Sequence, residues 1–306
     1  MGPLISIIIS TFNRSGVLRY SIKSVLRQSY TNWELIVVGD KCTDDTEAVV
    51  AAFFDPRIRF FNLPVRHGEQ SQPNNIGVQH SNGELIAFLN HDDLWLEDHL
   101  KLCVRRLTES QSDLVYGLAV NVESKDRLIL VNANPQHRYT PRLFVPASTW
   151  CLKRSLHTDL NGWRSASDLY NAPSQDFLFR AWKMKKRMIL VPELTTVVVP
   201  SGYRKNSYID TSEREHIEYL DRSADISVFR STVLTHIAVT EQANYHRTFP
   251  VPYVASRLIK NAILSMIVAV GFHPFAVRNL LKFRKKGGII EWLRIQRGLP
   301  QKEPNT

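Results

Sequence analysis

The residues best equipped for chemistry stand where apolar runs break off into polar ones. Glu84-Leu85-Ile86-Ala87-Phe88-Leu89-Asn90-His91-Asp92-Asp93 stops abruptly at two adjacent carboxylates. Its apolar part is too short for a helix and lacks helical spacing, so it predicts a buried strand that delivers Asp92 and Asp93 to its carboxyl end. In open α/β sheets that edge is where ligands bind, and a carboxylate pair there can hold a divalent metal and, through it, phosphate. The same two residues could instead cap a helix beginning near Leu96. Two other runs end in a similar way: Leu4 to Ser10 leads into Thr11, Phe12 and Asn13, and Glu34 to Val38 into Gly39 and Asp40. An aromatic ring can stack on a nucleobase and a carboxylate can accept from a base N–H, which together suit a nucleotide. Ser10 and Asp40 are equally at home as ordinary turn residues.

The elements between these points alternate. Val17 to Gln28 carries Val17, Leu18, Ile22, Val25 and Leu26 at helical spacing, with Ser15 as its cap. A second helix runs through Val49, Val50 and Phe53, a strand spans Ile58 to Asn62, and a short helix spans Asn74 to His80. This β-α-β-α-β order predicts an α/β fold with a Rossmann-like, mostly parallel, doubly wound sheet and right-handed crossovers. Further on, Ser112 to Val120 and Arg127 to Val131 read as a strand pair joined by a turn at Ser124 to Asp126, and Pro135 to Pro146 as a loop. Ala147 to Leu152 and Met188 to Pro192 read as short strands, and Ser174 to Trp182 as the start of an amphipathic helix. Trp150 and Trp163 are either core residues or platforms for a sugar ring.

Bulk properties bound the answer. With 306 residues, 43% of them hydrophobic, the chain can bury a full core. Cys42, Cys103 and Cys151 are odd in number and widely spaced, against a disulfide framework or a zinc site and in favour of a reducing compartment. The amino terminus passes straight into the first strand without a signal-peptide pattern, so a cytoplasmic location is expected. The net charge of +10 is uneven: Val254 to Thr306 holds ten Lys or Arg against two acids. An acidic partner is implied for that tail. Val254 to Phe272 reads as an apolar helix, with an uninterrupted stretch too short to span a bilayer, followed by Lys282-Phe283-Arg284-Lys285-Lys286 and an amphipathic Ile289 to Ile295. Such a mixture suits an interfacial anchor over residues 254–298, peripheral at the inner face of a membrane, or a helical appendage packed on the rest of the chain. Tyr203 to Tyr208 is basic and aromatic but reads as solvated surface, and no nucleic-acid partner is expected. The chain divides into residues 1–205 and a helical, basic region over 206–306, with Ser212 to Ala243 largely helical and a break at Pro250 and Pro252.

Taken together, Ile7-Ile8-Ile9-Ser10-Thr11-Phe12-Asn13-Arg14, Glu34 to Asp40 with Thr43-Asp44-Asp45-Thr46, Asn75-Ile76-Gly77 and Gly83 to Asp93 resemble, in order and spacing, the family 2 glycosyltransferases with their glycosyltransferase A-type fold. The resemblance covers roughly residues 3–200. It implies that Ser10 and Phe12 flank a nucleoside base, that Asp40 hydrogen-bonds it, that Asp92 lies near the ribose and sugar, and that Asp93 ligates Mn²⁺ or Mg²⁺. Gln175-Asp176 stands where the family has an acid pair, which makes Asp176 the candidate catalytic base; an Asp favoured by the helix dipole is the plainer reading. Gly39, Asn74 and Asn90 depart from the family pattern, with Asn74 where many members place an arginine beside the phosphates.

The reading that follows is an inverting, metal-dependent glycosyltransferase. It would move a sugar from a nucleoside diphosphate donor, with UDP-sugar favoured, to a hydroxyl of a glycan or lipid-linked saccharide in cell-surface polysaccharide synthesis. A nucleotidyltransferase would be expected to show a Gly- and Arg-rich loop after the first strand, where Ser10 to Gly16 has one of each. A binding module that keeps the fold without turnover would account for Gly39, Asn74 and Asn90.

Overall fold

The computed structural model of the chain describes residues 2–124, 127–201, 204–210, 212–245 and 251–299. Lys125 and Asp126 of the expected turn, Tyr203 of the basic cluster and Pro250 lie outside them. Strands β1 (Ile5–Thr11), β2 (Trp33–Gly39), β3 (Ile58–Asn62) and β4 (Leu85–Phe88) run parallel in the order β3-β2-β1-β4. Their near-continuous apolar runs follow from burial on both faces. Alternation along each strand sends Ile7, Ile9, Leu35, Val37 and Ala87 into one core, and Ile8, Ile36, Val38, Ile86 and Phe88 into the other.

Helices α1 (Ser15–Leu26) and α4 (His99–Ser110) close the first core, through Leu18, Ile22, Leu100 and Leu107 among others. Helices α3 (Ser71–Gln79), α5 (Arg154–Asp159) and α6 (Pro173–Lys183) close the second. The helix α2 (Thr46–Ala51) lies between β2 and β3. Ser15 is the first residue of α1 and not its cap; its N–H donates to Asp44 in the loop after β2. Gly77 lets α3 sit close on the sheet, because a Cβ there would meet Ile8 Cγ2 at 2.5 Å.

Beyond β4 the sheet turns mixed. β4 pairs antiparallel with β8 (Trp150–Lys153), β8 antiparallel with β6 (Leu114–Ser124), and β6 parallel with β9 (Met188–Val198). The two-residue β5 (Leu94–Trp95) adds to β9, and β7 (Arg127–Val131) to β6, both antiparallel. The parallel, doubly wound expectation therefore describes the first four strands, and the second half of the sheet is built by antiparallel additions. The strand expected over Met188 to Pro192 continues to Val198, which carries the chain back beside Asp92 and Asp93. Trp150 and Trp163 are fully or nearly fully buried and stack with ring centroids 5.6 Å apart, so they are core and not sugar platforms. All three cysteines are free and buried.

The helical region packs back onto the sheet. Tyr219 and Leu220 of α7 (Arg214–Arg222) and Phe229 and Val233 of α8 (Ile226–Tyr245) share a core with Leu94, Val120 and Leu194. Next come α9 (Val251–Ala269), α10 (Pro274–Phe283) and α11 (Gly288–Gln296). The apolar stretches of α9 and α10 meet at a bend of 99°, and no single helix among the described residues is long and apolar enough to cross a membrane. Hydrogen bonds tie α11 and its flanks to the rest: Gly287 N donates to Leu169 O at 2.8 Å, Asn206 N to Gln296 O at 2.6 Å, Tyr208 N to Arg297 O at 3.0 Å, and Arg294 Nη1 to Gly68 O at 3.1 Å.

Candidate functional site

The carboxyl ends of β1, β2 and β4 open onto a cavity of about 280 Å³. Ser10, Phe12, Asp40, Asp92 and Asp93, five of the residues singled out in the sequence, all line it. Asn74 and Asp176 do not line it. Asn74 is buried within α3, and Asp176 sits in the first turn of α6, where its Oδ2 accepts from Arg180 Nε at 2.7 Å. Asn171 to Ser174, immediately before that turn, are on the cavity wall.

The carboxylates differ in what remains open on them. Asp93 is 1% exposed, and both its oxygens are engaged: Oδ2 accepts from Asn90 Nδ2 at 2.9 Å and from Ser148 Oγ, and Oδ1 from Val199 N at 3.1 Å. Burial, then the charge of Asp92, pushes its pKa up to about 7. Asp92 Oδ2 has one contact, Ser201 N at 3.4 Å, and among the described residues Oδ1 has none. Burial opposes ionisation of Asp92, yet its pKa lies below the usual carboxylate value, held down by the adjacent His91, then by the Ser201 contact and the charges of Arg14 and Arg297. Asp40 accepts from His67 N and Gly68 N, each at 2.7 Å, so it anchors the loop that carries Arg66.

His91 lies between the end of β1 and Tyr208. Its Nδ1 donates to Ser10 O at 3.2 Å, which places Nε2 3.4 Å from the Tyr208 hydroxyl. Burial lowers its pKa to about 4, so the ring is neutral near pH 7. Glu69 also lines the cavity; burial raises its pKa, and its Oε2 accepts from Ser71 N and Oγ at 2.8 and 2.7 Å.

The opposite wall comes from the chain's far end: Phe275, Arg278, Asn279, Leu293, Arg294 and Arg297. The Arg66 guanidinium carbon lies 3.7 Å from the Phe12 ring centroid, and the Tyr208 ring has Arg14 at 4.9 Å and Arg297 at 5.8 Å. Sequence reasoning missed Ser148, Arg66, Tyr208 and the three tail arginines. Only the tail's charge excess and the basic cluster at Tyr208 hinted at them.

No group of three or more His, Cys, Asp or Glu able to hold a metal occurs among the described residues. A resident cation with a full protein cage does not fit. A cation brought in with a diphosphate does, because Mg²⁺-type sites take one or two carboxylates and complete their shell with phosphate and water.

Residues 6–158, half of the chain, match the family model described as glycosyl transferase family 2. Over 114 residues the chain is 33% identical to the UDP-Glc:alpha-D-GlcNAc-diphosphoundecaprenol beta-1,3-glucosyltransferase WfgD of Escherichia coli, covering 37% of this chain and 45% of that protein. The chain spans less than half the length of the curated relatives it matches. Among solved structures, S. aureus TarS 1-349 in complex with UDP-GlcNAc aligns with a TM-score of 0.55 at 18% identity, over 73% of this chain and 66% of that one. The mannosyltransferase PcManGT from Pyrobaculum calidifontis, in complex with GDP-Man and Mn²⁺, aligns with a TM-score of 0.55 at 17% identity, over 97% and 87%. The fold is thus of the glycosyltransferase A type.

Proposed function

The chain belongs to glycosyl transferase family 2, and from that premise we propose an inverting, metal-dependent glycosyltransferase that takes its sugar from a nucleoside diphosphate, a UDP-sugar above all. One observation carries this reading: a cavity at the strand ends is lined both by an open carboxylate, Asp92, and by the guanidiniums of Arg66, Arg278, Arg294 and Arg297. That polarity suits a diphosphate with its counter-cation. Asp92 would hold the Mn²⁺ or Mg²⁺, which when bound supplies positive charge to the departing diphosphate. Phe12 offers a face for the base, Asp40 retains lone pairs for a base N–H, and His91 orders Ser10. A hydroxyl of a glycan or lipid-linked saccharide is the proposed acceptor, in keeping with the diphosphoundecaprenol-linked acceptor in the name of the Escherichia coli relative.

The test is a melting-temperature panel of UDP-, GDP- and dTDP-sugars with and without Mn²⁺, followed by donor hydrolysis. A ligand at 100 times its Kd stabilises the folded state by about 2.7 kcal/mol. UDP-sugars with Mn²⁺ should give the largest rise and slow release of UDP. No shift with any nucleotide would overturn the reading, and a shift without hydrolysis or transfer would leave a binding module.

We further propose that α9 and α10 dock on an anionic membrane at the inner face of the cell. Leu258, Met266, Val270, Phe272 and Leu281 are 61–73% exposed, with Lys260, Lys282, Arg284, Lys285 and Lys286 exposed around them. Apolar side chains ringed by cations suit an anionic interface. Removing the whole tail would also remove a wall of the cavity, so point changes are the cleaner test. Wild-type protein should co-sediment with phosphatidylglycerol vesicles and leave them as salt rises. Leu258→Asp with Leu281→Asp should stay in the supernatant at an unchanged melting temperature, since both side chains face solvent. Wild-type protein that never sediments would sink the proposal.

A further inference from the structure

We propose that the C-terminal helices supply the cationic half of the substrate site, with Arg278 of α10 and Arg297 at the end of α11 facing Arg66 to grip a diphosphate group. The inference rests on the nucleotide-sugar reading above and, in Arg278 and Arg297, concerns residues that the family match, ending at residue 158, does not reach.

Charge is the first ground. Among the described ion pairs none involves Arg66, Arg278 or Arg297. Of the acids that line the cavity, Asp40 is committed to the amides of His67 and Gly68 and Asp93 to Asn90, Ser148 and Val199, and Asp92, whose ionisation the charge of Arg297 favours, forms no ion pair with it. Hydrogen bonding is the second. The Nε atoms of Arg66 and Arg297 are buried and have no hydrogen-bond partner. A buried donor is rarely left so, and an oxyanion in the cavity would satisfy both.

Placement is the third ground. The Arg66 guanidinium lies over the Phe12 ring, 3.7 Å from its centroid, and Arg297 lies over the Tyr208 ring at 5.8 Å while its own carbonyl accepts from Tyr208 N. Stacked guanidiniums keep their N–H edges free for bidentate phosphate contacts and lose little side-chain freedom on binding. The chemistry recognised is a diphosphate, which either the donor nucleotide or a lipid-linked acceptor could bring.

Equilibrium binding to the full chain separates these cases, with UDP, uridine, inorganic pyrophosphate and geranyl diphosphate as probes. Arg297→Met keeps much of the apolar stem. It should weaken UDP and pyrophosphate at least tenfold and leave uridine unchanged. A loss confined to pyrophosphate and geranyl diphosphate would assign the grip to the acceptor. Wild-type protein that ignores UDP but binds pyrophosphate through Arg297 would end the donor reading and keep the grip. If the variant melts at the wild-type temperature and binds all four probes within twofold of wild type, the proposal is overturned. Arg278→Met, at an exposed position, applies the same criteria should Arg297→Met fold poorly.

Discussion

Asp92→Asn should abolish the Mn²⁺ dependence of nucleoside diphosphate binding and lower turnover on the order of 10²- to 10³-fold, the usual cost of removing a group that stabilises developing charge. The substitution keeps the side chain's shape and removes a cavity carboxylate that has an oxygen free of hydrogen bonds among the described residues. Folding should be nearly unaffected, because that side chain makes a single long hydrogen bond. Asp93→Asn should behave in the opposite way. Its oxygens accept from three donors, and an amide turns one acceptor into a donor that faces them. Leaving a buried donor unsatisfied costs roughly 1–3 kcal/mol, so this variant should lose melting temperature first and activity as a consequence. Measuring both properties in both variants decides which acid serves the cation. If Asp93→Asn keeps its melting temperature but loses Mn²⁺ dependence, the ligand is Asp93 after all.

It is the family resemblance that assigns the cation to Asp93. Adjacent carboxylates at a strand end look alike in sequence, and what separates them arrives from far along the chain. Ser148 precedes β8, and Val199 follows β9, a strand whose expected end at Pro192 fell short of the observed one. Apolar patterning gave the four parallel strands almost to the residue, because each is covered on both faces and bounded by polar loops. It could not give β5, which is two residues long and exists only through pairing with β9.

The departures from the family pattern have local causes. A Cβ at Gly39 would come within 2.7 Å of Asn62 Oδ1, so a second acid there would have to displace the Asn62 side chain, which holds the backbone of Cys42. Asn90 donates to Asp93, a contact that an aspartate could make only in its protonated form. Asn74 is buried and not part of the cavity lining, and the guanidiniums that do line it come from Arg66, Arg278, Arg294 and Arg297. Composition had read the tail's cations as one population. Three of the ten belong to the cavity wall, a division that no periodicity in the sequence marks.

Asp176→Asn should lower kcat by a factor on the order of 10² to 10⁴ with donor affinity unchanged, which would identify Asp176 as the base that takes the acceptor hydroxyl's proton. An inverting displacement needs that base on the face opposite the departing diphosphate. Asp92, proposed as the cation's ligand, is on the leaving-group side, and both oxygens of Asp93 and of Asp40 are engaged. Two carboxylates remain. Asp176 stands behind the wall formed by residues 171–174, with Oδ2 on Arg180 and, among the described residues, no hydrogen bond on Oδ1. Arg180 is itself fixed by Gly162 O at 2.8 Å and by Leu160 O, so the pair is an oriented unit two residues beyond the cavity lining. Catalytic contacts that tighten when substrates bind are the ordinary case. Glu69 is the competitor: it already lines the cavity, and burial raises its pKa toward the range useful to a base. It sits, however, one residue beyond the Gly68 amide held by Asp40, on the side proposed for the nucleoside. Glu69→Gln should therefore weaken donor binding and leave kcat at saturating donor nearly intact. A collapse of kcat in Glu69→Gln, with Asp176→Asn close to wild type, would transfer the proton to Glu69 and make Asp176 a structural partner of Arg180.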